Sequence, residues 1–241
     1  MIVPLGFLHS IVGAFDFILH QREAATGGGV LVGGPAAVWD LTRAQLEVSA
    51  LALSGAIVLA LPTALVLGHY GRGELFAVGV GNAGRSVPEI VVIFLLAALI
   101  GIGLGNVSFA LMLLGIPPIL ANTFVAVRQV DRGVVEAAEG MGMRASQVIM
   151  RVELPLAAPT IMAGIRTSAI NIIATATIAS LVGYSTLGDL ITGRNVFGDD
   201  GVVAGAIVVA LLAVFAELLL AGVQALVTPR GLKLQRAASR A

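Results

Sequence analysis

The sequence predicts an all-α polytopic membrane protein, and three observations carry that prediction. Hydrophobic residues make up 58% of the 241-residue chain and charged residues only 12%, a balance far to the apolar side of soluble domains. Mean hydropathy is +1.00. The apolar residues gather into runs near the roughly 20 residues that a helix needs to cross a bilayer core. Formal net charge is zero, so no basic excess points to nucleic acid, and none is expected as a partner. Cysteine is absent, which removes disulfides, thiolate metal sites and a cysteine nucleophile.

Taken in order, the first twenty residues are apolar but enclose His9 and Asp16. They lack the basic n-region and small-residue cleavage site of a removable signal peptide. A short interfacial helix suits them better than a sixth crossing. Residues 21 to 44 carry Gly27-Gly28-Gly29 and Gly33-Gly34-Pro35 and read as a flexible linker, so that 1–44 forms an N-terminal segment. The transmembrane domain spans 45–227. Its five expected crossings are Gln45 to Leu67, Leu75 to Ile102, Val107 to Val127, Thr160 to Val182 and Val202 to Val227. The second is interrupted by Arg85-Ser86-Val87-Pro88, where proline removes a backbone donor and predicts a kink or break. A basic tail occupies 228–241.

Orientation follows from loop cations. Arg72, Arg128, Arg132, Arg144, Arg151, Arg230, Lys233, Arg236 and Arg240 fall on one side, against Arg22, Arg43 and Arg194 on the other. The positive-inside rule makes the first side cytoplasmic. Five crossings then leave the N-terminus outside and the C-terminus inside.

The cytoplasmic loop 128–159 is polar and charged in a chain otherwise suited to lipid. Val134, Val135, Ala138 and Met141 recur at near-helical spacing beside Glu136 and Glu139, which predicts a short helix with one apolar face and acids in its early turns. Gly142 is placed to end it. A second short helix is expected from about Ser146 to Val152, with Pro155 and Pro159 breaking the chain before the next crossing. Two short helices at an angle make a knob that can seat in a protein groove; the bland alternative is an amphipathic loop on the membrane surface.

This loop reads Glu136-Ala137-Ala138, then Gly142 after three residues, then Val152-Glu153-Leu154-Pro155 after nine more. That pattern resembles the EAA loop of permease subunits of ATP-binding-cassette importers. Further elements extend the resemblance over about 46–227: Met141-Gly142-Met143, Ala163-Gly164-Ile165-Arg166-Thr167, Ala174-Thr175-Ala176-Thr177-Ile178-Ala179 and Leu187-Gly188-Asp189-Leu190-Ile191. The chain is thereby similar to osmoprotectant importer permeases, which carry glycine betaine, proline betaine, choline or carnitine. Two departures concern substrate and outer gate: Gly183-Tyr184-Ser185-Thr186 replaces a glycine-rich run, and Glu89 stands where a small polar residue is commoner.

The resemblance implies a type I importer permease (MetI-like) architecture in a bacterial-type inner membrane. It also implies two cytoplasmic ATPase subunits, a second permease copy or sister permease, and an external substrate-binding protein. No Gly-x-x-x-x-Gly-Lys-Ser/Thr occurs in the sequence, so ATP is expected on the partner ATPase and no cofactor on this chain. Glu136, Ala137, Ala138, Gly142, Leu154 and Pro155 are the expected coupling residues, with Glu136 and Gly142 at the docking contact.

In the fourth crossing Gly164, Ser168, Asn171 and Thr175 share one helical face. They either line the translocation path, as Ser168, Asn171 and Thr175 would, or bring helices together. Quaternary ammonium groups are held by aromatic faces, yet the single Trp, two Tyr and nine Phe do not cluster, so selection is expected in the external binding protein. Arg85, Glu89, Arg166 and Glu217 lie in or near membrane segments, where charges are usually paired or functional. Glu217 or Glu89 therefore supports a rival reading, a proton-coupled secondary carrier. A membrane enzyme is disfavoured: His9, His20 and His69 are scattered and form no metal-ligand motif, so no catalytic residue or metal site is expected.

Overall fold

A chain in lipid must satisfy its backbone hydrogen bonds internally, which leaves helices as the means of crossing for these apolar runs. The computed structural model describes residues 5–74, 79 and 88–228. Within them run helices α1 (Leu5–Leu19), α2 (Gly34–Tyr70), α3 (Glu89–Ile100), α4 (Leu104–Arg128), α5 (Arg132–Gly140), α6 (Ala145–Val148), α7 (Leu154–Ala176), α8 (Gly188–Thr192) and α9 (Arg194–Val227). A π-helical turn, Ile149–Glu153, joins α6 to α7, and a 3-10 stretch, Thr177–Val182, extends α7. Four helical stretches among the described residues are long and apolar enough to cross a membrane: Gly34–Tyr70, Leu104–Arg128, Ala145–Val182 and Arg194–Val227. The second expected crossing is described only from Pro88 onward apart from Gly79; Arg85-Ser86-Val87 and the basic tail beyond Thr228 lie outside the described residues.

Three expectations are corrected. Residues 21–44, read as a flexible linker, form an antiparallel ribbon of β1 (Gln21–Glu23) and β2 (Leu31–Gly33), with Arg22 opposite Val32, and then the first turns of α2. The glycine run is what permits it: Gly27, Gly28 and Gly29 have φ of +71°, +85° and +73°, the left-handed region that glycine enters without steric cost. The helix that carries the first expected crossing consequently begins at Gly34, well before Gln45. Pro155 and Pro159 do not break the chain; both lie within the helical stretch Ala145–Val182. Proline clashes with the carbonyl four residues back, which for Pro155 is Arg151, and the π turn Ile149–Glu153 widens the helix at that carbonyl.

Contacts divide the chain into two compact units, 1–52 with 89–111 and 172–215, and 53–88 with 112–171 and 216–241. In the first, Ala14, Phe17, Val38, Leu187, Leu190 and Ala204 form a core. Arg22 serves the start of α9. Gly198, at φ +70° and ψ −178°, interrupts the helical geometry there; the Arg22 guanidinium donates to the Phe197 carbonyl at 3.1 Å and to Asp200 at 2.7 Å while lying 4.8 Å from the Phe17 ring centroid. The Leu-Gly-Asp-Leu element has a packing reason: Leu187 and Leu190 are buried, and a Cβ on Gly188 would stand 1.9 Å from the Thr177 carbonyl oxygen.

The second unit packs small residues of α2 at four-residue spacing, Ala56, Ala60 and Ala64, into one cluster with Ile119, Phe124 and Val127 of α4. Close approach is required at Gly68, whose Cβ would lie 2.8 Å from that of Val127, and at Gly164, 2.7 Å from the Asn122 Cβ. Small side chains let membrane helices approach this closely.

Gly188→Ala should therefore destabilise by about 1–3 kcal/mol through overpacking, read as a lower melting temperature in detergent. Gly222→Ala, with nothing within 4 Å of its added Cβ, should leave it unchanged or raised. Equal behaviour of the two variants would contradict the contact.

Candidate functional site

The loop between α4 and α7 is built from its caps. Asp131 caps α5, its carboxylate accepting from Gly133 N–H at 2.8 Å, which satisfies one of the free amides of the first turn. The sequence reading passed over this Asp-x-Gly signal. At the other end Gly142 takes φ +84°, its N–H donates to the Glu139 carbonyl at 2.8 Å, and Met143 N–H donates to Ala138 at 3.2 Å. These bonds close the helix as a left-handed glycine terminator does. A Cβ at Gly142 would meet nothing within 4 Å, so the requirement is conformational rather than steric. Arg144 N–H donates to Gln147 Oε1 at 2.9 Å and starts α6.

The expected single apolar face of α5 is corrected. Val135 and Ala138 are buried, in one cluster with Val148 and Ile149, whereas Val134 is 44% exposed and Met141 is 74% exposed. The seven-residue spacing from Val134 to Met141 sets those two on a common outer face. Glu136, Ala137, Glu139 and Gly142 are exposed beside them. Leu154 and Pro155 are half-buried at the start of α7. The loop thus presents an acid, two apolar side chains and a tight turn outward. A cleft of about 400 Å³ opens beside the α5 cap, lined by Gln129, Asp131, Val134, Leu156 and Thr160 among others.

The polar stripe of α7 divides. Gly164 fits against Asn122 and the Pro118 carbonyl. The buried Ser168 hydroxyl donates to the Gly115 carbonyl at 2.9 Å, in the turn preceding Pro117-Pro118. The Thr175 hydroxyl donates to Glu89 at 2.7 Å. Asn171 alone of the four is exposed. Ser168 and Gly164 therefore do the work of helix packing, Thr175 holds the Glu89 carboxylate, and Asn171 has its side chain available.

Sequence reasoning did not assign partners to the intramembrane charges. Arg166 pairs with Glu217, with an Nε donation of 3.0 Å, and also donates to Gln224 Oε1 at 2.6 Å. Gln224 Nε2 in turn donates to the Pro159 carbonyl at 2.9 Å. Glu217 is thereby committed to a guanidinium. Gln45 is buried and donates to the Ile173 carbonyl at 2.7 Å, close to where α7 tightens into its 3-10 extension. Outside the spans, burial pushes the Asp189 carboxyl above its ordinary value, and hydrogen bonds from Ser185 and the Thr186 backbone partly offset that. Among the described residues no group of three metal-ligating side chains comes together.

Residues 56–230 match the family described as binding-protein-dependent transport system inner membrane component. The chain is 34% identical over 193 residues to the choline transport system permease protein OpuBB of Bacillus subtilis, covering 80% of this chain and 89% of that one. It is 36% identical to the carnitine transport permease protein OpuCB of Listeria monocytogenes, covering 80% and 88%. In structure it is similar to a chain of the MetNI methionine ABC transporter in an inward-facing conformation. There the TM-score is 0.69 at 21% identity, over 81% of this chain and 100% of that one. That likeness supports the type I importer fold expected from the sequence.

Two predictions follow from this geometry. Gly142→Ala should uncouple transport by placing a side chain at φ +84°, at a cost of about 1–2 kcal/mol, while Gly142→Asn, which tolerates that region, should retain more function. Equal uptake by both would contradict the turn's role. Arg166→Met and Glu217→Leu should each lower stability by about 1–3 kcal/mol, less than for a wholly buried pair because both side chains keep some exposure. Their combination should cost less than the sum, as a double-mutant cycle of melting temperatures would read. Additive losses would mean the pair does not interact.

Proposed function

The chain belongs to the family of binding-protein-dependent transport system inner membrane components, and on that premise we propose that it is the permease of an ATP-driven osmoprotectant importer. Its cargo is glycine betaine or a related quaternary ammonium compound such as choline or carnitine. The observation that carries the substrate class is the similarity, over four fifths of the chain, to permeases named for choline and for carnitine transport. Membership sets aside the secondary-carrier reading. The Glu217 pairing with Arg166 removes the free acid on which half of that reading stood.

ATP would bind to separate cytoplasmic ATPases, two of them, docked on the loops 128–159 of two permease chains, identical or sister. Glu136 offers the acceptor for a basic partner side chain, Met141 an apolar knob, and Gly142 the turn that presents both. Closure of the ATPases on ATP would shift the loops and turn the paired permeases from inward-facing to outward-facing; hydrolysis would reset them. An external binding protein would deliver the solute. The Thr175-held Glu89 carboxylate supports a passage that offers a polar contact attractive to a cationic headgroup. The proposed topology has five crossings, the N-terminus outside and the C-terminus in the cytoplasm.

Reconstitution of the permease with its ATPase and binding protein in liposomes tests this reading through ATP-dependent uptake of labelled choline, carnitine and glycine betaine. Uptake of at least one is expected, competed by the unlabelled compound, and lost in Glu136→Ala with the protein still inserted. Uptake by the permease alone, driven by a proton gradient, would overturn the proposal. Transport of none of the three by an otherwise ATP-active complex would overturn the substrate class.

A further inference from the structure

One buried acid of the loop is left unexplained by docking. Glu153 is 0% exposed and lies at the end of the π turn Ile149–Glu153, between the outward-facing helices and α7. A leucine would fill such a position. A carboxylate there carries a desolvation cost unless another group answers it. The answer comes from 84 residues away: His69 Nδ1 lies 2.9 Å from Glu153 Oε2, with side-chain exposures of 7% and 0%. Glu153 Oε1 has no hydrogen-bond partner among the described residues, so this one bond holds the acid.

His69 belongs to the last turn of α2, just before Gly71 turns the chain at φ +62°. Its ring also packs edge-on against Tyr70, with centroids 5.0 Å apart. Apolar side chains of the loop and of α2 also pack together: Val135, Ala138, Val148 and Ile149 share a cluster with Ala64 and Leu65. Apolar contacts are non-directional and tolerate sliding. A hydrogen bond weakens steeply with angle and distance, so it fixes register. The π turn beside it, which accommodates Pro155, is a winding frequent at functional sites.

We infer that the His69–Glu153 hydrogen bond is the latch that delivers displacement of the docking loop to α2, making the two side chains positioning residues for energy coupling. This rests on the reading of loop 128–159 as the ATPase-docking element. When the ATPase moves α5 and α6, Glu153 moves with the π turn and draws the cytoplasmic end of α2 through His69. The acid is retained because a directional contact is needed at that point.

The test measures uptake and ATP hydrolysis together in liposomes holding permease, ATPase and binding protein. His69→Leu leaves Glu153 unanswered and is expected to impair folding as well as transport. The informative variant is therefore the double change His69→Leu with Glu153→Met, which replaces the pair by apolar side chains of similar size and removes the burial cost. It should assemble with the ATPase and hydrolyse ATP within about twofold of wild type, while solute moved per ATP falls about tenfold, the scale of one hydrogen bond. His69→Asn should restore coupling, because its amide reaches near the Nδ1 position and can donate or accept. A double variant coupled as well as wild type, or His69→Asn no better coupled than the double variant, would overturn the latch. A photoreactive residue at position 141 separates the two levels. ATPase capture there with coupling intact in the double variant defeats the latch alone, whereas a failure to capture the ATPase defeats the docking reading and the latch with it.

Discussion

The intolerance of a bilayer for unanswered backbone and side-chain polar groups governs this structure. It compels helices, and it then decides what each polar residue inside them is for. Ser168 answers the Gly115 carbonyl, Gln45 answers Ile173, and Gln224 joins Pro159 to Arg166. Prolines that would end a soluble helix persist at positions 62, 117, 118 and 159 within long helices. A donor from a neighbouring helix serves the turn at two of these places, Ser168 at the Gly115 carbonyl before Pro117-Pro118 and Gln224 at the Pro159 carbonyl.

Class, family and the position of the loop were legible in the sequence because each depends on local pattern. Apolar run length reports crossings, and the Glu-Ala-Ala, glycine and Leu-Pro offsets report the loop. Gly142 was legible as a terminator for the same reason. What escaped was non-local. The Arg166–Glu217 and His69–Glu153 pairs join residues 51 and 84 positions apart, and no spacing rule announces such partners. The ribbon 21–33 escaped because three consecutive glycines suit a tight turn as well as a linker, and only pairing of the flanking residues distinguishes them. Pro155 misled because a π turn can absorb the clash that ordinarily stops a helix. The face of α5 was misassigned because four apolar residues at positions 134, 135, 138 and 141 span more than one face, and packing alone selects Val135 and Ala138 for burial.

The loop differs from the spans in how it spends polarity. Within the spans, polar groups are mostly consumed by neighbours; along the outer surface of α5 they stay exposed, with Glu136, Glu139 and the methionine knob facing outward. A surface that keeps an acid, an apolar side chain and a glycine-fixed turn together is suited to a protein partner rather than to lipid. The same loop is anchored inward by Val148, Ile149 and Glu153, so one face is exposed and the other is packed into the protein.

The most direct measurement is photo-cross-linking from position 141 in native membranes, with the captured protein identified by mass spectrometry. Met141, 74% exposed, is predicted to capture an ATPase whose peptides include a Gly-x-x-x-x-Gly-Lys-Ser/Thr phosphate loop. Capture of lipid alone at position 141, with the same ATPase recovered from a probe at another exposed site, would contradict the account of where energy enters this protein.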